Sequence, residues 1–537
     1  MESLDSFVSP DDSLMLRPIP KELRYACHAV CVMMHRAETN GNVFLTRAEL
    51  TRVCRAEHPY MKQALVEAAI AHLAQEKTLD IQQDFCAFRT TRAQENTLAA
   101  FFAQCILLEE QEDDEIYAAQ CRAVAQAEAS LNIQLSESQR AAAVGSLSCR
   151  ISVISGGAGS GKTTLLKTIS RVMRNADVPV LMMAPTGKAA RRMAKQACHP
   201  ACTIHSALYS SFPPCFQPDG TYCADLIIVD ESSMIDVSLM YDIIRHLGRG
   251  KQMILVGDPA QLPSIGPGHL LCDIIDSGLR TYRLTDNFRQ LESPEALVQS
   301  TEAIRRMDAD GIVYGAGFCL LPTSNPWDVE QVVLREYVAL LEEGANVQML
   351  SPVRKTKLCS SDTLNVMAQQ ILNPPTPGEL TLPISGRVFH AGDRVVQLKN
   401  NEHAKNGDVG TIQSIRLCEA PDGSQQKIVT IDFDDVGTVP YREETIRRDS
   451  LLDHAWALTI HKAQGSEYDY VILPLVHQHR RSWYCNMIYT AVSRARKGII
   501  LVGDEQVLWD AVQQPMPFRN THLYEKIGVL THRRISA

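Results

Sequence analysis

Short apolar runs separated by longer amphipathic stretches dominate the middle of the chain. Ile151–Ser155, Val178–Met183, Leu226–Val229 and Met253–Val256 are such runs. Unbroken apolar runs of this kind read as strands buried on both faces. Strands that alternate with helical stretches predict a parallel sheet with helices on both sides. The pattern returns at Val347–Leu350, Tyr470–Leu473 and Ile499–Val502, which predicts a second α/β unit. Within that unit, Gly386–Leu452 is rich in Val, Thr and Gly and reads as a small inserted β-barrel.

The N-terminal part is patterned differently. Pro10, Pro18 and Pro20 interrupt any helix, so residues 1–20 read as an arm. Helical spacing covers Glu22–Arg36, Val43 and Phe44 are extended, and Thr46 caps a helix over Arg47–Arg55. A third helix over Tyr60–Gln75 and short strands near Thr78–Ile81 and Phe85–Arg89 complete the element order of a winged helix. That order suits a nucleic-acid reader and a spacer for protein contacts alike, and does not choose between them. Helices over Thr90–Leu108 and Ile116–Leu131 flank an acidic run, Glu109, Glu110, Glu112, Asp113, Asp114 and Glu115, which reads as a solvated loop.

At 537 residues the chain exceeds one hydrophobic core, since domains run to roughly 100–200 residues. No apolar run reaches the ~18 residues of a membrane span. Met1–Asp12 is acidic and lacks a signal-peptide pattern, so a cytoplasmic location without a membrane partner is expected. The net charge of −9 excludes a globally basic protein, but not a local basic groove, because salt screens charges beyond ~10 Å. The scattered cysteines read as reduced core residues. Cys198, His199, Cys202, His205, Cys215 and Cys223 have spacing that permits zinc. No zinc is expected, because His205 falls in a segment with another explanation below.

Gly156–Thr163 reads Gly-Gly-Ala-Gly-Ser-Gly-Lys-Thr and fits G-x-x-x-x-G-K-[ST] between a predicted strand and a helix. Backbone N–H groups from Gly157, Ala158, Gly159, Ser160, Gly161, Lys162, Thr163 and Thr164 are the expected phosphate cradle. Lys162 should reach the β- and γ-phosphates of ATP, and Thr163 should ligate Mg²⁺. The strand Leu226–Val229 ends in Asp230 and Glu231. Asp230 suits the metal and Glu231 the base that deprotonates an attacking water. Gln261 is a candidate γ-phosphate sensor, and Arg289 and Arg494 are candidates to neutralise charge in the transition state.

In order, these motifs resemble superfamily 1 helicases, most closely the RecD-like branch, across about Asn132 to Asp504. The resemblance implies two RecA-like P-loop domains, an SH3-like insertion, and 5′→3′ movement on DNA. It makes Gln139, within Leu135–Gln139, an adenine contact; the same residues, Ser136 to Gln139, also satisfy a helix capping box. Ala184–Ala190, Thr203–His205 and Ala457–Glu467 look like strand-contacting motifs. From them Pro185, Thr186, Lys188, His205, Thr459, His461 and Lys462 are expected to touch a nucleic-acid backbone. Asp393–Val396 and Asn406–Gly410 look like the strand and turn of the inserted SH3-like domain. A strand-separating hairpin is expected before Asp225, with Phe212, Phe216 or Tyr222 as the wedge. The longer relatives carry an N-terminal region before the winged part that this sequence is expected to lack, and no nuclease motif is present.

The expected domains are an arm (1–20), a helical and winged-helix-like unit (21–131), a first RecA-like domain (132–290, hairpin near 206–224), a second (291–385 and 453–537), and an SH3-like barrel (386–452). The expected function is ATP-dependent DNA unwinding on single-stranded and tailed duplex DNA, with protein partners docking on the N-terminal unit. An RNA remodeller of the same superfamily and an ATPase subunit of a larger complex remain alternatives, because sugar contacts are not legible in the chain.

Overall fold

The structure, a computed structural model, describes residues 21–108, 114–209, 215–288, 293–323, 325–356, 358–419 and 424–535. The 1–20 arm and Glu109–Asp113 lie outside them, while Asp114 and Glu115 open the helix Asp114–Leu131.

Helix Lys21–Thr39, strand Leu45–Thr46, helices Arg47–Glu57 and Gln63–Gln75, and the hairpin Leu79–Gln82/Phe85–Phe88 form the N-terminal unit. Thr46 starts the second helix with a reciprocal capping box to Glu49, which satisfies two orphan N–H groups. The strand Leu45–Thr46 pairs antiparallel with Phe85–Phe88, as a winged helix requires.

The first large sheet is six-stranded and parallel. Its order is Ala201–Thr203, Val180–Ala184, Leu226–Val229, Gln252–Gly257, Ile151–Gly156, Thr281–Leu284. Successive side chains of a strand point to opposite faces, and here both faces are covered. Ile227, Val229, Met253 and Leu255 enter one core; Leu226, Ile228, Ile254 and Val256 enter the other. Continuous apolar strands are the result of helices on both sides.

The second sheet is also parallel and has five strands, in the order Phe318–Pro322, Ala495–Gly503, Tyr468–Leu475, Val347–Ser351, Ala457–Thr459. The insertion is a five-stranded antiparallel sheet of Arg394–Gln397, Val409–Glu419, Gln425–Phe433, Gly437–Arg442 and Leu452–His454. The hairpin Leu382–Ile384/Arg387–Phe389 fills the same core, so the insertion begins upstream of the expected residue 386. Asp393, fully buried, ties it to the second domain by accepting from Gln369 Nε2 and Asn373 Nδ2, both at 2.8 Å.

The C-terminal segment departs from the expected domain assignment. Cys485 N–H still donates to Gln514 O within the second domain. By Arg519 the chain is back on the first, donating to Ser264 O at 2.7 Å and Gly268 O at 2.9 Å. Helix Leu523–Ile535 then packs on Arg89–Leu108 and Leu270–Asp276. Buried Glu95 holds it, pairing with Lys526 and accepting from the His522 N–H at 2.9 Å. Burial pushes Asp273 in this interface up to about 7, Thr521 opposing and Glu95 adding to the rise. An acid raised in the folded state stabilises fully below its ordinary value of 3.8, and that contribution is lost as pH rises toward 7. The melting midpoint of wild type should therefore fall more steeply than that of Asp273→Asn between about pH 4 and about pH 7. Parallel melting curves would remove Asp273 from that interface's pH dependence.

Candidate nucleotide site

In a parallel sheet every strand delivers its carboxyl end to one edge, where open α/β folds bind ligands. Three neighbouring strands converge here: Ile151–Gly156 leads into the phosphate loop, Gln252–Gly257 into Asp258, and Leu226–Val229 into Asp230 and Glu231. Helix Lys162–Asn175 starts directly after the loop. Gly159 and Gly161 adopt left-handed φ of 79° and 76°, which Cβ-bearing residues rarely adopt. A Cβ on Gly161 would also lie 2.2 Å from Gln139 Nε2.

Lys162 folds back onto its own loop, donating to Gly156 O at 2.6 Å and Gly157 O at 2.8 Å. Burial pulls its pKa down, against Asp258, Glu231 and Asp230, which pull it up. Thr163 Oγ1 donates to Gln196 Oε1 at 3.0 Å. Asp230 is pushed up to about 6 by burial and then by Glu231, with Arg192 opposing. Glu231 has a left-handed φ of 51°, and its N–H donates to Asp230 Oδ1 at 2.8 Å. Both carboxylates thus face Lys162 and Arg192 at one end of the cleft.

The second domain closes the other end. Arg494, almost fully buried, donates from Nη2 to Gln261 Oε1 at 2.9 Å. Around that bond Leu262 N–H donates to Thr490 Oγ1 at 2.8 Å, Gln464 Nε2 to Leu262 O at 3.0 Å, and Asn486 Nδ2 to Ala260 O at 3.0 Å. Between the domains is a cleft of about 690 Å³ lined by the phosphate loop, Glu231, Gln261 and Arg494. Arg289 lies outside the described residues.

Sequence reasoning missed other cleft residues: Arg192, Gln196, Arg496 and Lys497. Arg192 and Gln196 follow Lys188 at i+4 spacing on helix Gly187–Ala197, and residues so spaced share a helix face. That spacing was the available signal. Arg192 also pairs with Glu467 of the second domain at 3.3 Å.

Gln139 serves the capping box: Ser136 N–H donates to its Oε1 at 3.0 Å, and its Nε2 donates to Gly161 O at 3.3 Å. The side chain is buried and braces the loop from below.

Of the strand-contact candidates, Pro185, Thr186 and His205 follow adjacent strands of the first sheet, while Thr459 ends an edge strand of the second and His461 and Lys462 follow it. Thr186 caps helix Gly187–Ala197. A Cβ on Gly465 would lie 3.5 Å from Thr186 Oγ1, so the 459–465 turn abuts that helix start. Lys188 lies over the Tyr468 ring at 5.5 Å, and His205 is exposed beside Tyr209. Lys462 is 3.4 Å from Asp453, and burial, with Arg354 and Arg387, lowers it to about 8.

The hairpin turns at Asp219-Gly220, with Phe216 bridging to Tyr222. Tyr222 is corrected as a wedge: it is fully buried against Phe216 and His246. Phe216 packs partly into the same core, and Phe212 lies outside the described residues.

Three family models match the chain in order. They are an AAA domain over 134–315, the SH3 domain of ATP-dependent RecD-like DNA helicases over 364–433, and a UvrD-like helicase C-terminal domain over 454–502. The ATP-dependent RecD2 DNA helicase of Deinococcus radiodurans is 32% identical over 70% of this chain and 50% of its own length. The RecBCD enzyme subunit RecD of Mycolicibacterium smegmatis is 28% identical over 70% of this chain and 73% of its own. The chain therefore spans half the length of the first relative and most of the second. A crystal structure of Pif1 helicase from Candida albicans is 17% identical and covers 75% of this chain and 100% of that one, with a TM-score of 0.46. By the order of its matched domains and by these relatives, the chain is similar to ATP-dependent RecD-like DNA helicases.

Proposed function

We propose that this chain is an ATP-dependent DNA helicase that moves 5′→3′ along a single strand. The observation that carries this reading is the Gln261–Arg494 bond across the interdomain cleft. Through it, a triphosphate held by the first domain meets an arginine of the second, so turnover depends on how the domains sit together.

In this reading Lys162 leaves its own loop carbonyls for the β- and γ-phosphates. Glu231 takes a proton from the attacking water, Gln261 orients that water, and Arg494, joined by Arg289, neutralises charge developing on the transferred phosphoryl group. Thr163 and Asp230 would hold Mg²⁺, which would supply positive charge to the phosphate oxygens. Asp230, pushed up to about 6 by burial and then by the neighbouring Glu231 charge, fits that place. Pro185, Thr186, Lys188, His205, Thr459, His461 and Lys462 would contact the backbone of the strand. Contacts of that kind are indifferent to base sequence, as stepping requires. The Deinococcus radiodurans relative, an ATP-dependent RecD2 DNA helicase, supports ATP and DNA as the substrates.

Duplexes with a 5′ or a 3′ single-stranded tail test the proposal. Unwinding with ATP is expected on the 5′-tailed substrate alone. Unwinding of the 3′-tailed duplex alone reverses the direction; stimulation of ATPase by RNA but not DNA moves the chain to RNA.

A further inference from the structure

A second contact crosses from the second domain to the phosphate loop, at a spot that Arg494 does not reach. Tyr489, on helix Cys485–Val492, is buried, and its hydroxyl accepts from the Ala158 N–H at 3.3 Å. The same hydroxyl donates to Asp258 Oδ2 at 2.7 Å. Asp258 is buried at the end of its strand and also accepts from the Ala260 N–H at 3.1 Å. Burial, then the charge of Asp258 and the bond to it, push Tyr489 well above the usual phenol range, so its proton stays and its donor role is fixed. A phenol has one O–H to give and can still accept. The bonds therefore run one way, from Ala158 N–H to Tyr489 to Asp258.

Arg305 approaches the same point from the end of helix Glu295–Arg305. Its Nε lies 4.0 Å from Asp258 Oδ1 and is buried without a hydrogen-bond acceptor among the described residues. A Cβ on Gly157 would lie 3.1 Å from the Tyr489 hydroxyl and 3.5 Å from Arg305 Nε. Both side chains thus rest on the loop itself.

The N–H groups of such a loop are the ones a phosphate takes. Ala158 cannot give its single N–H at full strength to Tyr489 and to a phosphate oxygen. We propose that Tyr489 is a positioning residue that reports occupancy of the phosphate loop to the second domain. Nucleotide phosphate takes the Ala158 N–H from the Tyr489 hydroxyl, which stays on Asp258, while Arg305, paired through Nη1 with Glu302 at 3.7 Å, gains an acceptor for its Nε. The helix, released from the loop but still held at Asp258, leads through Ser493 into Arg494, so the change at the loop arrives at the arginine bonded to Gln261. Only the strand-dependent part of this inference rests on the helicase reading.

Tyr489→Phe removes the hydroxyl and keeps the ring. Without a competitor for Ala158, ADP should bind about fivefold tighter in the absence of DNA, the weight of one ordinary hydrogen bond. Stimulation of ATPase by single-stranded DNA should fall by a comparable factor, about fivefold. A merely structural defect weakens both and does not tighten binding. Unchanged or weaker ADP affinity overturns the proposal; tighter binding with full DNA stimulation overturns the transmission to the second domain. If DNA fails to stimulate wild type, the helicase reading fails, and ADP affinity still tests Tyr489. Should the variant not fold, hydrogen exchange in wild type decides. ADP is expected to raise exchange across Cys485–Val492, and no change there overturns the inference.

Discussion

Glu231→Gln is expected to bind ATP normally and to turn it over at least roughly 100-fold more slowly, the lower end of what a positioned general base contributes. The substitution is nearly isosteric, so the cleft keeps its shape. It removes one of two adjacent acids, which relieves part of what drives Asp230 up to about 6, the rest being burial. Nucleotide affinity should therefore hold or improve, and folding should not suffer. A loss of turnover with intact binding separates chemistry from assembly. The measurements are nucleotide affinity and steady-state ATPase on the same preparation. Turnover within threefold of wild type would remove Glu231 as the base and leave its left-handed backbone as a purely structural turn.

Arg494→Lys should lower strand-stimulated turnover by about 10³-fold, the scale of a lost arginine finger. Lysine keeps the charge but not the fork. In the structure the guanidinium donates at once to Gln261 Oε1, Thr490 O, Ser466 O and Ser493 Oγ. An ammonium on a flexible stem cannot satisfy that planar set. Because the site is buried, each unsatisfied acceptor adds to the loss. The expected signature is a collapse in kcat with ATP affinity changed only a few-fold, since Lys162 and the loop still hold the phosphates. Near-normal kcat would show that the Gln261–Arg494 bond only glues the domains, and the carrying observation of the proposed function would go with it.

The central strands were legible and the edge strands were not, for one physical reason. Val180–Ala184, Leu226–Val229, Gln252–Gly257 and Ile151–Gly156 sit inside the first sheet; Ala201–Thr203 and Thr281–Leu284 are its edges. In the second sheet the unpredicted strands are again the edges, Phe318–Pro322 and Ala457–Thr459. A central strand is covered on both faces and by neighbours on both sides, which demands an apolar run. An edge strand is freed from part of that demand, and Pro322 at the end of one and Arg283 within another show it. The placement of the 156–163 loop between strand and helix, and of Asp230 and Glu231 at a strand end, was legible because each directly follows an apolar run. The bonds of Gln261 with Arg494 and of Asp258 with Tyr489 were not, because they join residues more than 200 positions apart. Gln139 shows a different failure: two readings of one residue were open, and the fold gives its amide to the capping box and the loop.

The return of the C-terminal segment to the first domain has a mechanical consequence. Phe288 still bonds to Gly159 of the first domain, and Ser293 already bonds to Arg496 of the second. Gln514 still bonds within the second domain, and Arg519 is anchored on the first. The second domain is thus suspended between two short tethers, like a gate hung on two pins. A body held at one point can tumble about it; a body held at two swings about the line that joins them. In the proposed motor, movement of the second domain would be constrained at both crossings at once.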